Sequence, residues 1–483
     1  MIIGLDIGTS VTKASAIFRD GTVGATASVP TTLIRHPGGR VEQDLEDVLV
    51  AVAAVVREIV DSATEPIEAL AVTGQGDGLW LRDSTGVLVR PAISWLDGRA
   101  SQILEQWGEG GDDSVLHRIY ALTGSGVFPG CHAALLSWMS ENEPESLTRA
   151  TVAGYCVDAV IQNLTGTVTV DASDASLPFL NVTTREYVTE ALALCGVAGW
   201  RHLLAPPAAP GTVFALDDRG SGLLGLPVGT AVTGGPYDLE ACGFGAGTLR
   251  EGEGTLIVGT TLSCQVLTTD VAIALTDEPA GMWLCTPDPG MYLRVMPSMV
   301  GTASIDWMLG LFGLDASDLD SLLKQSPPGA SGARMLSFLA PSGERAPFVD
   351  PRARGQLTGL QLQHTRADLV RALCESLAFA ARHCFEAMNL TGELAACGGG
   401  LQSDEWASIF ADVLGRSILL PHSSAVGSVG AARTAWSALG DPVDDDLWRS
   451  RRRRVDPDPA RVAFYQDAYV AYGADLAAAR SRW

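Results

Sequence analysis

Residues 1–18, MIIGLDIGTSVTKASAIF, read as a buried apolar strand, a Gly-Thr-Ser turn at Gly8–Ser10 and a returning strand. Residues 254–267, GTLIVGTTLSCQVL, repeat the pattern in the second half of the chain, with Gly259-Thr260-Thr261 as the turn. A tight turn of this composition aims successive backbone N–H groups and short hydroxyls at one point, which suits phosphate oxygens. Taken singly, each reads first as an ordinary hairpin connection. Two of them on two similar domains would hold one polyphosphate from both sides.

Composition sets the outer limits. A chain of 483 residues is too long for one ordinary core, so two domains or more are expected. Hydrophobic residues make up 47% and charged residues 18%, a globular profile. A net charge of −23 argues against nucleic acid or an anionic membrane as partner, without excluding a nucleotide ligand. No stretch reaches the ~20 apolar residues of a membrane span. No basic region precedes the first strand, so no secretory signal and a cytoplasmic location are expected. Nine scattered cysteines offer neither a CxxC site nor a disulfide framework and read as buried thiols. Only two lysines occur, Lys13 and Lys324, and Lys13 lies beside the first turn.

Strand and helix alternate after that turn. VEQDLEDVLVAVAAVVREIV (41–60) predicts a helix capped by Asp44, with Leu45, Val48, Leu49, Val52, Val55, Val56 and Ile59 on one face. IEALAVTG (67–74) is a strand feeding the loop GQGDG (74–78), and residues 79–95 suggest a hairpin around Asp83–Gly86. The glycine-rich GFGAGTLREGEG (243–254) reads as the interdomain crossover and hinge. In the second half, RADLVRALCESLAFAARHCFEAM (366–388) is a long helix and ELAACGGG (393–400) a strand ending in glycines. SDEWASIFADVLG (403–415) is then a helix stopped at Gly415. The arginine run RSRRRR (449–454) reads as a solvated, partly paired surface segment.

Three features add weight to the phosphate reading. Asp6, just before the first turn, can hold Mg²⁺ directly or through water. Lys13 brings an ammonium nearby. CGGG (397–400) opens on a helix N-terminus and allows close approach of adenine or ribose to backbone. Neither GxxxxGK[ST] nor a convincing GxGxxG is present.

In these residues the chain resembles the FGGY carbohydrate kinases, within the actin-like, sugar-kinase and Hsp70 ATPase superfamily. The resemblance is carried by GLDIGTSVTK (4–13), GRVEQDLEDV (39–48), RPAISWLDGRA (90–100), TGGPYDLEACGFGAG (233–247), SGERAPFVDPRARGQLTGL (342–360) and CGGGLQSDEWASIFADVLGR (397–416), in family order and nearly end to end. It implies an α/β fold of two actin-like (ribonuclease H-like) ATPase domains with an interdomain cleft. On that basis residues 1–246 form the N-terminal domain for sugar and the first phosphate loop. Residues 247–440 form the nucleotide-binding C-terminal domain, and residues 441–483 a helical tail packed on the fold.

The resemblance further implies ATP- and Mg²⁺-dependent phosphorylation of a small sugar or polyol. Asp238 matches the family's base, the lesser alternative being that DLEACGFGAG begins a short helix with Asp238 only as its cap. Asp6 would take the metal. Gly8, Thr9, Ser10, Lys13, Gly259, Thr260 and Thr261 match phosphate-contact positions. Gly398, Gly399, Gly400 and Ser403 match the adenosine end, Ser403 being equally a helix N-cap. Gln75, Gly76, Asp77 and Trp95 join Asp238 at the substrate. A carboxylate at 77 accepts hydroxyl hydrogen bonds and repels an anionic substrate. Trp80 and Trp95 are candidate apolar walls or core residues. A homodimer is compatible with the resemblance.

Glycerol kinases carry Arg-Glu where this chain has Gly76-Asp77, which disfavours glycerol. D-xylulose kinases carry Met-His there and Asn after the base, where this chain has Leu239. The GQGDG loop looks most like the erythritol or short-polyol branch, with D-xylulose or another ketopentose as the alternative. Two further departures are Ala425, where the family often has an acid, and Thr302, where it often has glycine. A reading of different class is a regulatory protein that binds sugar and ATP without turnover. An actin- or Hsp70-like machine would need a polymer- or peptide-contacting appendage, and none is evident.

Overall fold

The computed structural model describes residues 1–273 and 278–483. The chain forms two compact units. The first comprises Met1–Gly247, Thr268–Leu293 and Ala425–Ser450; the second comprises Thr248–Leu267, Arg294–Ser424 and Arg451–Trp483.

The central sheet of the first unit is built from β1 (Ile2–Ile7), β2 (Val11–Ile17), β3 (Val23–Pro30), β4 (Ala69–Gly74), β5 (Phe214–Ala215) and β6 (Ala231–Gly234), in the order β5-β6-β4-β1-β2-β3. β1 and β2 form an antiparallel hairpin, while β4 lies parallel to β1 and β6 parallel to β4. Parallel neighbours need a crossover, and between β1 and β4 it includes helix α1 (Leu45–Asp61). Asp44 caps α1 by accepting from Glu46 N–H at 2.9 Å, and the seven residues on the expected apolar face are the buried ones.

Both faces of this sheet are covered, and alternation along β1 sorts the side chains. Ile3, Leu5 and Ile7 enter a core shared with α1 and with α2 (Cys156–Thr165). Ile2 points the other way, into a core with Ala431, Ala432, Ala435 and Trp436 of a helix at Val426–Ala438. Gly4 shares that parity, and a Cβ there would stand 2.3 Å from the Ser428 carbonyl oxygen, so glycine lets this helix lie directly on β1. Asp6 is next in the series and faces the same side.

GFGAG, read as the start of a hinge, is largely helical. Helix α3 spans Asp238–Ala246 and ends at Gly247, with φ +93°. A Cβ on Gly245 would lie 1.9 Å from the Val426 carbonyl oxygen, and one on Gly430 1.9 Å from that of Ala241. These glycines serve helix–helix contact within the first unit.

The second unit repeats the topology. β7 (Gly254–Val258) and β8 (Leu262–Thr268) form an antiparallel hairpin; with β9 (Tyr292–Pro297), β10 (Leu394–Cys397), β11 (Ile418–Leu420) and β12 (Arg453–Val455) they make six consecutive strands of a seven-stranded sheet, in the order β9-β8-β7-β10-β11-β12. β10 is parallel to β7, β11 parallel to β10, and β12 antiparallel to β11. Each unit thus has a hairpin, two parallel strands and an antiparallel edge strand. The repeated strand–turn–strand grammar reflects this duplicated architecture.

The arginine run is more structured than its composition suggests. Residues 453–455 form β12, Arg452 pairs with Glu393 at 2.9 Å and Arg453 with Asp404 at 2.9 Å, while Arg449 is buried. None of the nine cysteines is in a disulfide, and eight are buried. No helix among the described residues is long and apolar enough to cross a membrane.

Candidate active site

The first turn is braced from behind. Gly8 N–H donates to the Val11 carbonyl at 3.1 Å, and Thr31 donates from N–H to the Ser10 carbonyl and from Oγ1 to the Gly8 carbonyl, each at 2.9 Å. The second turn is held similarly by the start of the helix Thr302–Leu311. Gly301 and Thr302 N–H donate to the Thr260 and Gly259 carbonyls at 2.9 and 2.8 Å. Carbonyls held on one side leave the outer sides of Ser10 and Thr260 exposed.

Asp6 and Lys13 are cross-strand partners on β1 and β2. Burial raises the Asp6 carboxyl to about 6, against the pull of the Lys13 ammonium. Asp6 Oδ2 also faces the N-terminal turn of the helix Val426–Ala438, where a Cβ on Gly427 would lie 2.5 Å away. Gly427 therefore keeps a space open beside the carboxylate. No cluster of three or more metal-ligand side chains occurs among the described residues. One carboxylate with open space fits Mg²⁺, which retains several waters and is bound by one or two carboxylates plus phosphates.

Asp238 is the first residue of α3, and the N-cap is Tyr237 rather than Asp238. Its Oδ1 is buried and makes no hydrogen bond. Burial is the main cause that pushes this carboxyl well above the usual range. The charges of Asp6 and Asp77 add to it, and the Leu239 N–H opposes them. Asp6 and Asp77 thus both act on Asp238 within the first unit.

The loop after β4 is buried throughout. Gln75 is occupied by the scaffold: its Nε2 donates to Gln43 Oε1 at 3.1 Å and its Oε1 accepts from Thr9 Oγ1 at 3.1 Å. Thr9 Oγ1 in turn accepts from Trp95 Nε1 at 2.8 Å. Trp95 is tied to the first turn by a polar bond, whereas Trp80 is 1% exposed and belongs to the core. Asp77 is 5% exposed with φ +55°, a left-handed backbone that Asp tolerates better than most residues.

In the second unit the three glycines after β10 divide their work. Gly398 has φ +110°, and a Cβ there would lie 2.4 Å from the Val258 carbonyl oxygen. A Cβ on Gly400 would meet Val258 Cγ1 at 2.6 Å and Thr302 Cγ2 at 3.0 Å, which locates the Thr302 departure. Only Gly399 of the three faces open space. Ser403 caps the helix Asp404–Leu414 by accepting from Trp406 N–H at 3.1 Å, and its Oγ donates to Asp320.

Comparison with known proteins assigns both halves. Residues 1–245 match the N-terminal domain, and residues 255–439 the C-terminal domain, of the FGGY family of carbohydrate kinases. The chain belongs to the FGGY family. An erythritol kinase of Brucella abortus (strain 2308) is 31% identical over 500 residues, covering 98% of this chain and 95% of that protein. A xylulose kinase structure from Rhodospirillum rubrum matches with a TM-score of 0.87 at 30% identity, covering 99% of each chain. A ligand-bound xylulose kinase from Lactobacillus acidophilus shares the fold, with a TM-score of 0.89 at 24% identity over 99% of this chain and 98% of that one. The chain is an ATP-dependent carbohydrate kinase with the two-domain FGGY fold.

Two features beside the candidate site of this FGGY kinase escape a linear reading. One is Gly427, which returns from late in the chain to lie against Asp6. The other is DASDAS (171–176). Asp171 caps the short helix Ala172–Ala175, Ser173 Oγ accepts from Tyr237 N–H at 2.8 Å, and Asp174 is buried. The doubled Asp-Ala-Ser was a visible signal, but its meaning depends on what packs against it.

Proposed function

We propose that this kinase phosphorylates a hydroxyl of a short neutral polyol such as erythritol, with Asp238 as the base. The reading rests chiefly on the Asp238 carboxyl, whose Oδ1 is buried, lacks a hydrogen-bond partner and is influenced by the Asp77 charge. The substrate oxygen bonds to the γ-phosphorus, the bond from that phosphorus to the ADP oxygen breaks, and Asp238 receives the hydroxyl proton. In a loose transition state that proton moves late, so orienting the hydroxyl is the larger part of the role.

Asp77 supports a neutral substrate: a buried carboxylate accepts from hydroxyls and repels an anion. Likeness to the Brucella abortus erythritol kinase favours a polyol, and the xylulose kinases keep a ketopentose as the second reading. Gly8–Ser10 and Lys13 in the first unit, and Gly259–Thr261 with Gly399 in the second, are the groups proposed to hold ATP. Asp6, with the space Gly427 leaves, would hold Mg²⁺; bound there, the ion supplies positive charge to offset the carboxylate and phosphates.

The test is ATP-dependent ADP formation with erythritol, other tetritols and pentitols, D-xylulose and other ketopentoses. Turnover with erythritol above D-xylulose is expected. Preference for the ketopentose would establish the second reading, and binding without ADP formation would show a non-catalytic protein.

A further inference from the structure

Gly76 is shaped by what occupies the place of a side chain. A Cβ there would lie 2.5 Å from Tyr237 Cε2 and 2.7 Å from Asp174 Oδ1. Neither neighbour can coexist with a larger residue at 76 without moving. Asp174 is 1% exposed, and its Oδ1 makes no hydrogen bond. A buried, unpartnered carboxyl oxygen is costly unless a water or a ligand supplies the missing partner.

Among the described residues, the charged groups that act on it most are carboxylates. Asp171, Asp158, Asp238 and Asp77 all act on Asp174 with like charge. Arg82 Nη2 donates to Asp158 at 2.6 Å, while its Nε and Nη1 bond neither Asp174 nor any other group, and Arg185 donates to the Thr286 carbonyl at 2.7 Å. Tyr237, whose ring fills the rest of the Gly76 space, immediately precedes Asp238 in sequence. The unsatisfied oxygen therefore borders the side-chain space of Gly76 in the substrate loop, which the residue preceding the proposed base borders too.

We propose that Asp174 is a substrate-positioning residue, whose carboxyl stands in for the side chain Gly76 lacks and accepts a hydrogen bond from a hydroxyl of a neutral substrate. This rests on the kinase reading of the site and adds to Asp77 a second carboxyl for hydroxyl recognition. Two such groups in an acidic enclosure select an uncharged polyhydroxy compound and reject a sugar acid of the same length.

Erythritol, D-xylulose and erythronate serve as probes, with binding measured by calorimetry without nucleotide and turnover by ADP formation. Wild type should bind a neutral probe at least about tenfold more tightly than erythronate. Asp174→Ala should raise both Kd and KM for the neutral probe at least about tenfold, with KM for ATP unchanged, on the scale of leaving one buried hydrogen-bonding group without its partner. Asp174→Asn keeps the shape and an acceptor and should recover part of the loss. Gly76→Ala should raise KM similarly, and the double variant should be no worse than either alone, since both changes disrupt one contact. Unchanged neutral-probe Kd and KM in Asp174→Ala, or in Asp174→Asn if the alanine variant does not fold, would overturn the assignment. So would multiplying effects in the double variant, equal binding of erythronate, or no binding of either neutral probe to wild type. Binding that depends on Asp174 without ADP formation would sustain the assignment and refute only the kinase reading.

Discussion

Trp95 Nε1 donates to Thr9 Oγ1 at 2.8 Å, so a substrate-loop candidate is bonded to a phosphate-turn candidate. Thr9 Oγ1 donates in turn to Gln75 Oε1 at 3.1 Å, which extends the link to the loop carrying Asp77. Trp95→Phe keeps the ring and removes the donor. It should cost about 1 kcal/mol of stability, the usual net worth of one hydrogen bond, and raise KM for ATP and for the polyol together. A change confined to the polyol would mean that Trp95 is only an apolar wall. Paired KM measurements decide between these.

Asp6 gives a signed pH prediction. Its folded-state value of about 6 lies above its ordinary 3.8, so protons bind the folded state more tightly. Its contribution to stability is fully present below about pH 3.8 and is lost as pH rises to about 6. Asp6→Asn removes this loss and should raise Tm at pH 7.5 relative to wild type, with the difference vanishing near pH 4. Mg²⁺ should raise the wild-type Tm at pH 7.5 without raising that of Asp6→Asn. A metal response retained in Asp6→Asn would place the ion elsewhere.

Gly427→Ala tests the same space from the opposite side. Alanine is a better helix former than glycine, by up to about 1 kcal/mol in an interior, so in this first turn the helix itself has no reason to suffer. Yet its Cβ would stand 2.5 Å from Asp6 Oδ2. The expected outcome is a substantially higher Mg²⁺ requirement for turnover with a folded protein. An unchanged metal titration would show that the space is only a packing detail.

Asp238→Asn should retain polyol binding and lower turnover at least about a hundredfold, the typical scale for losing a general base. Because burial and the Asp6 charge hold its carboxyl well above the usual range, the wild-type group opposes folding once ionised. The amide should therefore gain stability on the alkaline side while losing activity. Loss of both binding and stability would instead indicate a purely structural residue.

What could be read from the sequence was local. The β1 hairpin follows from its apolar strands and Gly-Thr-Ser turn, and the α1 face from spacing alone, since the seven expected residues are the buried ones. Ala425–Ser450 belongs to the first unit although no compositional break marks its return, because that placement is a tertiary choice. Asp174 looks like one polar residue in a polar hexapeptide, and only the approach of Gly76 and Tyr237 reveals it as buried. Gly243 and Gly245 signalled a linker but sit in a helix. Glycine reports close approach or backbone freedom, and sequence does not separate the two.

Ser403 and Gly399 provide the last discrimination, at the proposed adenosine end of the second unit. Ser403 Oγ accepts from Trp406 N–H and donates to Asp320, so its hydroxyl is occupied by capping. Ser403→Ala should cost about 1 kcal/mol of stability, as cap removal does, and leave KM for ATP unchanged at temperatures well below Tm. A Cβ on Gly399 would have nothing within 4 Å. Gly399→Val should fold as wild type and raise KM for ATP several-fold by filling space the nucleotide needs, without altering polyol binding. If Ser403→Ala moves KM for ATP and Gly399→Val does not, the nucleotide lies along the helix cap instead of over the glycine turn.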